Sequence, residues 1–205
     1  MNKSIQILCK EELAKITTPK KLLLHSCCAP CSSHVITYLA PYFNITVLYY
    51  NPNIYPKEEY EKRKQEQIKL INELNTPNKL DYLDCDYDND VYEELIKGYE
   101  NCPERGARCP ICFKLRLEKT AKLAKEHNYD YFCTTLTISP HKNAALINSI
   151  GEELFEKYDV KFLPSDFKKN EGFKTSGQVQ YVARTGNFVK KGFAYTGALE
   201  ILKVA

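Results

Sequence analysis

Two clusters of cysteine dominate the reactive side chains of this 205-residue chain. Cys27, Cys28 and Cys31 form the first cluster, and Cys109 and Cys112 form the second. Each cluster contains two thiols separated by two residues, a spacing that turns both sulfurs to one side and lets them share a metal. Both clusters lie at predicted helix starts, where backbone N–H groups help to keep thiolates ionised. The two clusters can therefore meet at one centre above one end of a sheet.

Three kinds of site fit this spacing, and the residues leave the choice open. Two Cys-x-x-Cys pairs are common in tetrahedral zinc sites, which would make the chain a zinc-stabilised, non-catalytic nucleic-acid-binding module. Cys28 and Cys31 alone resemble the redox pair of a thiol–disulfide oxidoreductase, but the second cluster is then unexplained. An iron–sulfur cluster takes its thiolates from separated motifs. Spacing does not choose between zinc and iron.

The composition is that of a folded protein without a membrane segment. Hydrophobic residues make up 43% of the chain and charged residues 27%, which excludes disorder as the dominant state. No apolar run approaches the roughly 20 residues that a membrane helix needs, and no signal peptide is recognisable. We therefore expect a cytoplasmic protein. In that reducing compartment nine cysteines indicate metal ligation or redox chemistry rather than a disulfide framework.

Strands alternate with helices along the chain, which predicts an α/β fold with three layers and a mainly parallel sheet. In such sheets ligands bind beyond the carboxyl ends of the strands, where the first cysteine cluster falls. We interpret 1–20 as an N-terminal extension, 21–167 as the α/β domain and 168–205 as a basic, glycine-rich tail. Strands are predicted at 21–26, 45–50, 80–85, 131–135 and 160–163, and helices at 32–39, 57–74, 91–97, 112–127 and 143–158.

Four ordered motifs add to the spacing of the thiols. They are LLHSCCAPC at 23–31, YYNPNI at 49–54, CPIC at 109–112 and TTLTISPHKN at 134–143. Together they resemble the QueH-type epoxyqueuosine reductases, over residues 21–174. The resemblance implies an adenine-nucleotide-hydrolase-like (HUP-like) fold. It also implies the last step of queuosine biosynthesis, in which epoxyqueuosine at the wobble position of tRNA is reduced to queuosine.

The resemblance further implies a [4Fe–4S] cluster held by Cys27, Cys28, Cys109 and Cys112. Cys31 would replace one of these ligands or bind a second, mononuclear iron. Expelling the epoxide oxygen as water takes two electrons, and a cluster passes electrons singly. We therefore expect an external one-electron donor of the ferredoxin or flavodoxin type, and tRNA carrying epoxyqueuosine as the substrate.

Side chains in the loops after the strands are candidates for donating a proton to the departing oxygen. His141, Ser139 and Tyr50 are the catalytic candidates, because each lies at or just beyond the end of a predicted strand. Their roles rest on loop position alone.

The tail departs from the family pattern. Chains of the family end in a Tyr-Arg-Gln segment and a redox-active Cys-Gly-Cys pair, whereas no cysteine follows Cys133 here. Either the tail replaces that pair, or a change of reading frame has removed it, or the activity of this chain is impaired.

Overall fold

A five-stranded parallel sheet forms the centre of the structure, a computed structural model that describes residues 4–169. In chain order the strands are β1 (Lys20–His25), β2 (Phe43–Leu48), β3 (Leu80–Leu83), β4 (Tyr131–Thr134) and β5 (Lys161–Phe162). The helices are α1 (Ile5–Ala14), α2 (Ala29–Leu39), α3 (Lys57–Glu73), α4 (Asn89–Leu95), α5 (Arg108–Glu126) and α6 (Ala144–Tyr158), with a short 3₁₀ turn at Thr135–Ile138.

Helices cover both faces of the sheet. In β1, Leu22 and Leu24 pack on one face against apolar residues of α1, α2 and α3, whereas Leu23 packs on the other face against α5 and α6. This explains the continuous apolar run of β1, because a central parallel strand is buried on both sides. The predicted three-layer α/β fold is confirmed.

The strand order is β3-β2-β1-β4-β5, and every neighbouring pair is parallel. This is the doubly wound order, with the first strand of the chain in the middle of the sheet. The chain moves outward in one direction from β1 to β3 and in the other from β4 to β5, so the order reverses between β1 and β4. Ligands of open parallel sheets bind at such a switch point, beyond the carboxyl ends of the strands. The first cysteine cluster follows β1, and Thr135–Ile138 follows β4.

Two helices begin earlier than the sequence predicts. We expected α2 to start at residue 32 with a serine or threonine cap, but it starts at Ala29. Its cap is the sulfur of Cys28, which accepts a hydrogen bond from the Cys31 backbone N–H at 3.2 Å. A thiol in this role is outside the usual set of capping residues, so the start was placed wrongly. Helix α5 likewise begins at Arg108, which brings Cys109 inside the helix.

Residues ahead of β1 contribute to the core. Helix α1 buries Cys9 and Leu13 in the same apolar cluster as α2 and one face of β1. No helix within residues 4–169 is long and apolar enough to cross a membrane. The predicted basic tail lies outside the described residues, apart from Lys168 and Lys169.

Candidate metal and substrate site

The first cysteine cluster closes into a compact group of three thiols. The sulfur atoms of Cys27, Cys28 and Cys31 all lie within 4.8 Å of one another, at the turn from β1 into α2. Thr135, which follows β4 on the other side of the switch point, holds this turn in place by hydrogen bonds. Its hydroxyl accepts a hydrogen bond from the Cys27 backbone N–H at 3.0 Å and donates one to the Cys27 sulfur at 3.3 Å. This group can hold a metal ion.

The three thiols do not share one protonation behaviour. Hydrogen bonds from the Cys28 and Cys31 thiols hold the pKa of Cys27 well below its usual range, and the Thr135 hydroxyl adds to the effect against the opposing effect of burial. The pKa of Cys31 is raised well above its usual range, because its proton is shared with the other two sulfurs. Of the three thiols, Cys27 is therefore the one whose surroundings most favour the thiolate, which is the form that binds metals.

The second cluster faces the same cavity. This cavity has a volume of about 760 Å³, and its walls include Cys27, Cys31, Cys109 and Cys112. Among the described residues, Cys109 and Cys112 do not join the compact group of three thiols. The backbone N–H of Arg105 donates to the Cys109 sulfur at 3.3 Å, which fixes the position of that sulfur. Thiols of the two clusters therefore line the same cavity, but the sulfur atoms of Cys109 and Cys112 are not in the compact group formed by the first cluster.

A buried arginine connects the two clusters. Arg116 of α5 is 5% exposed and lines the cavity. Its Nε donates to the carbonyl of Cys112 at 3.3 Å, and its guanidinium also donates to the side-chain oxygen of Asn51 at 3.2 Å. Asn51 in turn donates to the carbonyl of Ser26 at 2.8 Å. One chain of hydrogen bonds therefore runs from the backbone of the second cluster to the residue before the first.

His25 is a neutral structural residue beneath the first cluster. Burial, with a smaller contribution from the Arg116 charge, lowers its pKa to about 3. Its Nε2 lies 3.0 Å from the carbonyl of Tyr50, which can only accept, so Nε2 carries the proton. Its Nδ1 then accepts from the Thr134 hydroxyl at 2.8 Å. The ring joins the ends of β1 and β4 to the loop after β2.

Gln67 of α3 anchors both sides of the cysteine turn from within the core. It is fully buried, and its side-chain oxygen lies 2.6 Å from the Ser26 hydroxyl and 2.8 Å from the Ser32 hydroxyl. Its side-chain nitrogen is buried with no partner among the described residues. Gln67 was not among the predicted site residues. The available signal was its place on the buried stripe of α3, seven residues after Tyr60 and three before Leu70.

Replacing Gln67 with leucine should weaken metal binding by the first cluster. The leucine removes the anchor of Ser26 and Ser32 but also removes a buried, unpartnered N–H group, so the cost to stability is small. Because changes that disorient metal ligands typically lower affinity about 10- to 100-fold, we expect a loss of that size. The affinity of the metal-free protein for Co²⁺ is measured from the thiolate-to-cobalt absorption, and the melting temperature is measured alongside.

Gln65→Leu is the matched control, because Gln65 lies on the same helix and is exposed. It should bind Co²⁺ like the wild type. Equal Co²⁺ affinity in both variants would show that the Gln67 anchor does not orient the thiols.

The three predicted proton donors occupy different surroundings. Ser139 lines the cavity, and its oxygen accepts from the His141 backbone N–H at 3.2 Å. His141 and Tyr50 are not among the residues that line this cavity. The carbonyl of His141 accepts from the Arg105 side chain at 3.3 Å. The Tyr50 hydroxyl donates to Asp88 at 3.0 Å, and burial raises its pKa well above the usual range. Only Ser139 of the three is brought to the thiols' cavity.

Comparisons with known proteins agree with the motifs. The family model described as Epoxyqueuosine reductase QueH matches residues 22–186. A relative of that name from Staphylococcus epidermidis is 46% identical over 160 residues, which are 76% of this chain and 67% of that protein. Another from Streptococcus pyogenes serotype M1 is 42% identical over 172 residues, covering 81% of this chain and 68% of that protein.

The chain also aligns with a solved enzyme structure. The NH3-dependent NAD synthetase from Campylobacter jejuni aligns with a TM-score of 0.39 and 12% identity, over 99% of this chain and 93% of that one. A TM-score at this level does not establish a shared fold, so the fold assignment rests on the strand order and pairing of the sheet.

Proposed function

Because this chain belongs to the QueH family of epoxyqueuosine reductases, we propose that it reduces epoxyqueuosine to queuosine at the wobble position of tRNA. The observation that carries the proposal is the placement of thiols from both cysteine clusters on one cavity at the switch point of the sheet, namely Cys27 and Cys31 of the first and Cys109 and Cys112 of the second. The proposal places the chain with its tRNA in the reducing cytoplasm, where cysteines stay available as thiols.

We propose an iron–sulfur cluster rather than one zinc ion at this cavity. A tetrahedral ion binds thiolates at about 2.3 Å, which puts two of its sulfur ligands about 3.8 Å apart. The three thiols of the first cluster lie within 4.8 Å of one another, but among the described residues neither Cys109 nor Cys112 joins them as the fourth ligand that a zinc ion needs. A four-iron cluster spreads its cysteine ligands over separate irons, which suits thiols from two motifs on one cavity. The proposed ligands are Cys27, Cys28, Cys109 and Cys112. Of these four only Cys28 is absent from the cavity wall; Cys31, which does line it, is left for substitution of a ligand or for a mononuclear iron.

The reaction removes the bridging oxygen of the epoxide as water and leaves an alkene, which consumes two electrons and two protons. When bound, the cluster supplies those electrons singly from an external donor of the ferredoxin or flavodoxin type. The chain's own residues must hold the substrate, exclude bulk water and provide a path for protons. The apolar part of the wall, including Phe113 and Leu136, serves the exclusion of water.

Ser139 is the proposed proton donor at the cavity. It is 7% exposed, and its hydroxyl hydrogen has no acceptor within residues 4–169, so that hydrogen can point to a bound oxygen. A serine hydroxyl is a weak acid and therefore acts here as a relay between water and the substrate. Tyr50 is a weaker candidate because its hydroxyl is already engaged with Asp88.

The thiol–disulfide alternative is disfavoured by the burial of Cys28. This residue is 1% exposed and does not line the cavity. Exchange requires an accessible thiolate that can attack a partner disulfide. A buried Cys28 can still bind iron, because a cluster ligand points toward the metal inside the protein and not toward solvent.

Conversion of tRNA tests the proposal directly. Iron-loaded protein is incubated anaerobically with epoxyqueuosine-containing tRNA and a chemical reductant, and the nucleosides are then separated by mass. The proposal predicts queuosine in proportion to the protein added. Unchanged epoxyqueuosine with fully loaded protein would contradict it for this chain, whose predicted tail at 168–205 lacks the family's Cys-Gly-Cys pair.

A further inference from the structure

The mouth of the cavity carries an aromatic ring that faces water. Tyr55 is 77% exposed, the largest exposed fraction of any large apolar side chain in the part of the chain that the structure describes. It also belongs to the wall of the cavity that the cysteine clusters line. Single exposed apolar residues are ordinary on protein surfaces, so exposure alone would assign nothing. What distinguishes Tyr55 is that its exposed ring lies at the entrance to the proposed reaction site.

The loop that presents Tyr55 is firmly anchored. The backbone N–H of Ile54 donates to Asn51 at 3.1 Å, and the Tyr87 hydroxyl donates to the carbonyl of Ile54. The side chain of Asn89 donates to the carbonyl of Pro52 at 2.7 Å. Ile54 itself is buried in an aromatic cluster. The residue before Tyr55 is therefore fixed inside the protein, and the ring is held out on a loop that loses little entropy when it binds a ligand.

The size of the cavity limits what can enter from an RNA. A volume of about 760 Å³ accommodates a ligand of nucleoside size but not a base-paired stem. The reacting nucleoside must therefore leave its stack and enter alone, as in other enzymes that modify bases. Its departure exposes the face of a neighbouring base, and an aromatic side chain at the entrance can cover that face.

We propose that Tyr55 stacks on the base next to the reacting nucleoside, outside the cavity. This subsite takes a nucleobase of any identity, because every base offers a flat face for stacking. The inference rests on the proposed function, since it requires a tRNA anticodon loop as the ligand. It adds an interaction outside the cavity that holds the loop while the wobble nucleoside is inside. Lys62, an exposed residue that also lines the cavity, is placed to meet phosphate rather than a base.

The test is a double-mutant cycle between protein and RNA. The probe is a fluorescent anticodon stem-loop, intact or with an abasic site at either nucleotide next to the wobble position. Binding to anaerobically purified protein is measured at two salt concentrations. Tyr55→Ala should weaken binding of the intact probe about tenfold at both salt concentrations, and Tyr55→Phe should bind like the wild type. Lys62→Ala should instead reduce the salt dependence.

The coupling identifies the contact. One of the two abasic probes should bind the wild type about tenfold more weakly than the intact probe, and should lose no further affinity with Tyr55→Ala. Tyr99→Ala is the control, because Tyr99 is 41% exposed but is not part of the cavity wall.

Two outcomes would count against the proposal in different ways. The stacking subsite would be overturned, and the proposed function left intact, if Tyr55→Ala did not weaken binding of the intact probe. The same conclusion would follow if Tyr55→Ala weakened binding of both abasic probes as much as it weakens binding of the intact probe. No binding of the stem-loop by the wild type would overturn the proposed function and the subsite with it.

Discussion

Cys27→Ala and Cys109→Ala should each abolish queuosine formation and remove most of the bound iron. One residue comes from each cluster, and both line the same cavity. If their sulfurs bind a single centre, the loss of either one leaves an iron without its protein ligand. The wild type should hold about four irons per chain, and the two variants should resemble each other in their residual iron and in the loss of visible absorption.

Cys102→Ala provides the matched control for this pair. Cys102 is half-buried in the loop that leads into α5, seven residues before Cys109, but it is not among the residues that line the cavity. It should keep iron and activity. A Cys109→Ala protein that retains both would contradict the single centre, because the second cluster would then be structural or bind a separate ion.

Arg116→Met should lower the rate of queuosine formation about 100-fold, the upper part of the range for residues that orient metal ligands. Arg116 links the backbone of Cys112 to Asn51, and Asn51 links to Ser26 beside the first cluster. Its positive charge also favours the more negative, reduced form of a cluster. The reduction potential of the variant should therefore move to a more negative value, which a potentiometric titration of the visible absorption measures.

The stability of the same variant should change little. Arg116 is a buried cation with no carboxylate within ion-pair distance among residues 4–169, and burying an unpaired charge is costly. Methionine removes that cost while it breaks the hydrogen bonds to Asn51 and Cys112. We expect the free energy of unfolding of the metal-free protein to differ by less than about 2 kcal/mol.

Lys119→Met, on the same helix, is the control for Arg116→Met. Lys119 pairs with Asp88 and is not part of the cavity wall. It should keep full activity and the wild-type potential. An Arg116→Met enzyme that is fully active at an unchanged potential would show that the guanidinium neither orients the clusters nor affects their charge.

The position of the site could be predicted because it depends on local patterns. The apolar run of β1 ends directly before the first cluster, and parallel topology then places that cluster at the carboxyl edge of the sheet. The alternation of strands and helices gave the fold class, and the spacing of the thiols indicated which residues could share a centre. These inferences need only neighbours in the sequence.

The contacts that organise the site could not be predicted in the same way. Gln67 reaches Ser26 across 41 residues, and Arg116 reaches Asn51 across 65, so nothing in the local sequence pairs them. For the same reason the sequence could not show which of the candidate proton donors reaches the cavity. Ser139 and Tyr50 both follow strands, but the Tyr50 hydroxyl is bound to Asp88, 38 residues further along the chain, whereas Ser139 lines the cavity.

The iron and acid-labile sulfide content of the wild-type chain tests the central claim most directly. The protein is purified anaerobically, and both elements and zinc are measured against the protein concentration. A brown protein with about four irons and about four sulfides per chain is the result that two cysteine clusters on one centre predict. A colourless protein with one zinc and no sulfide would contradict it.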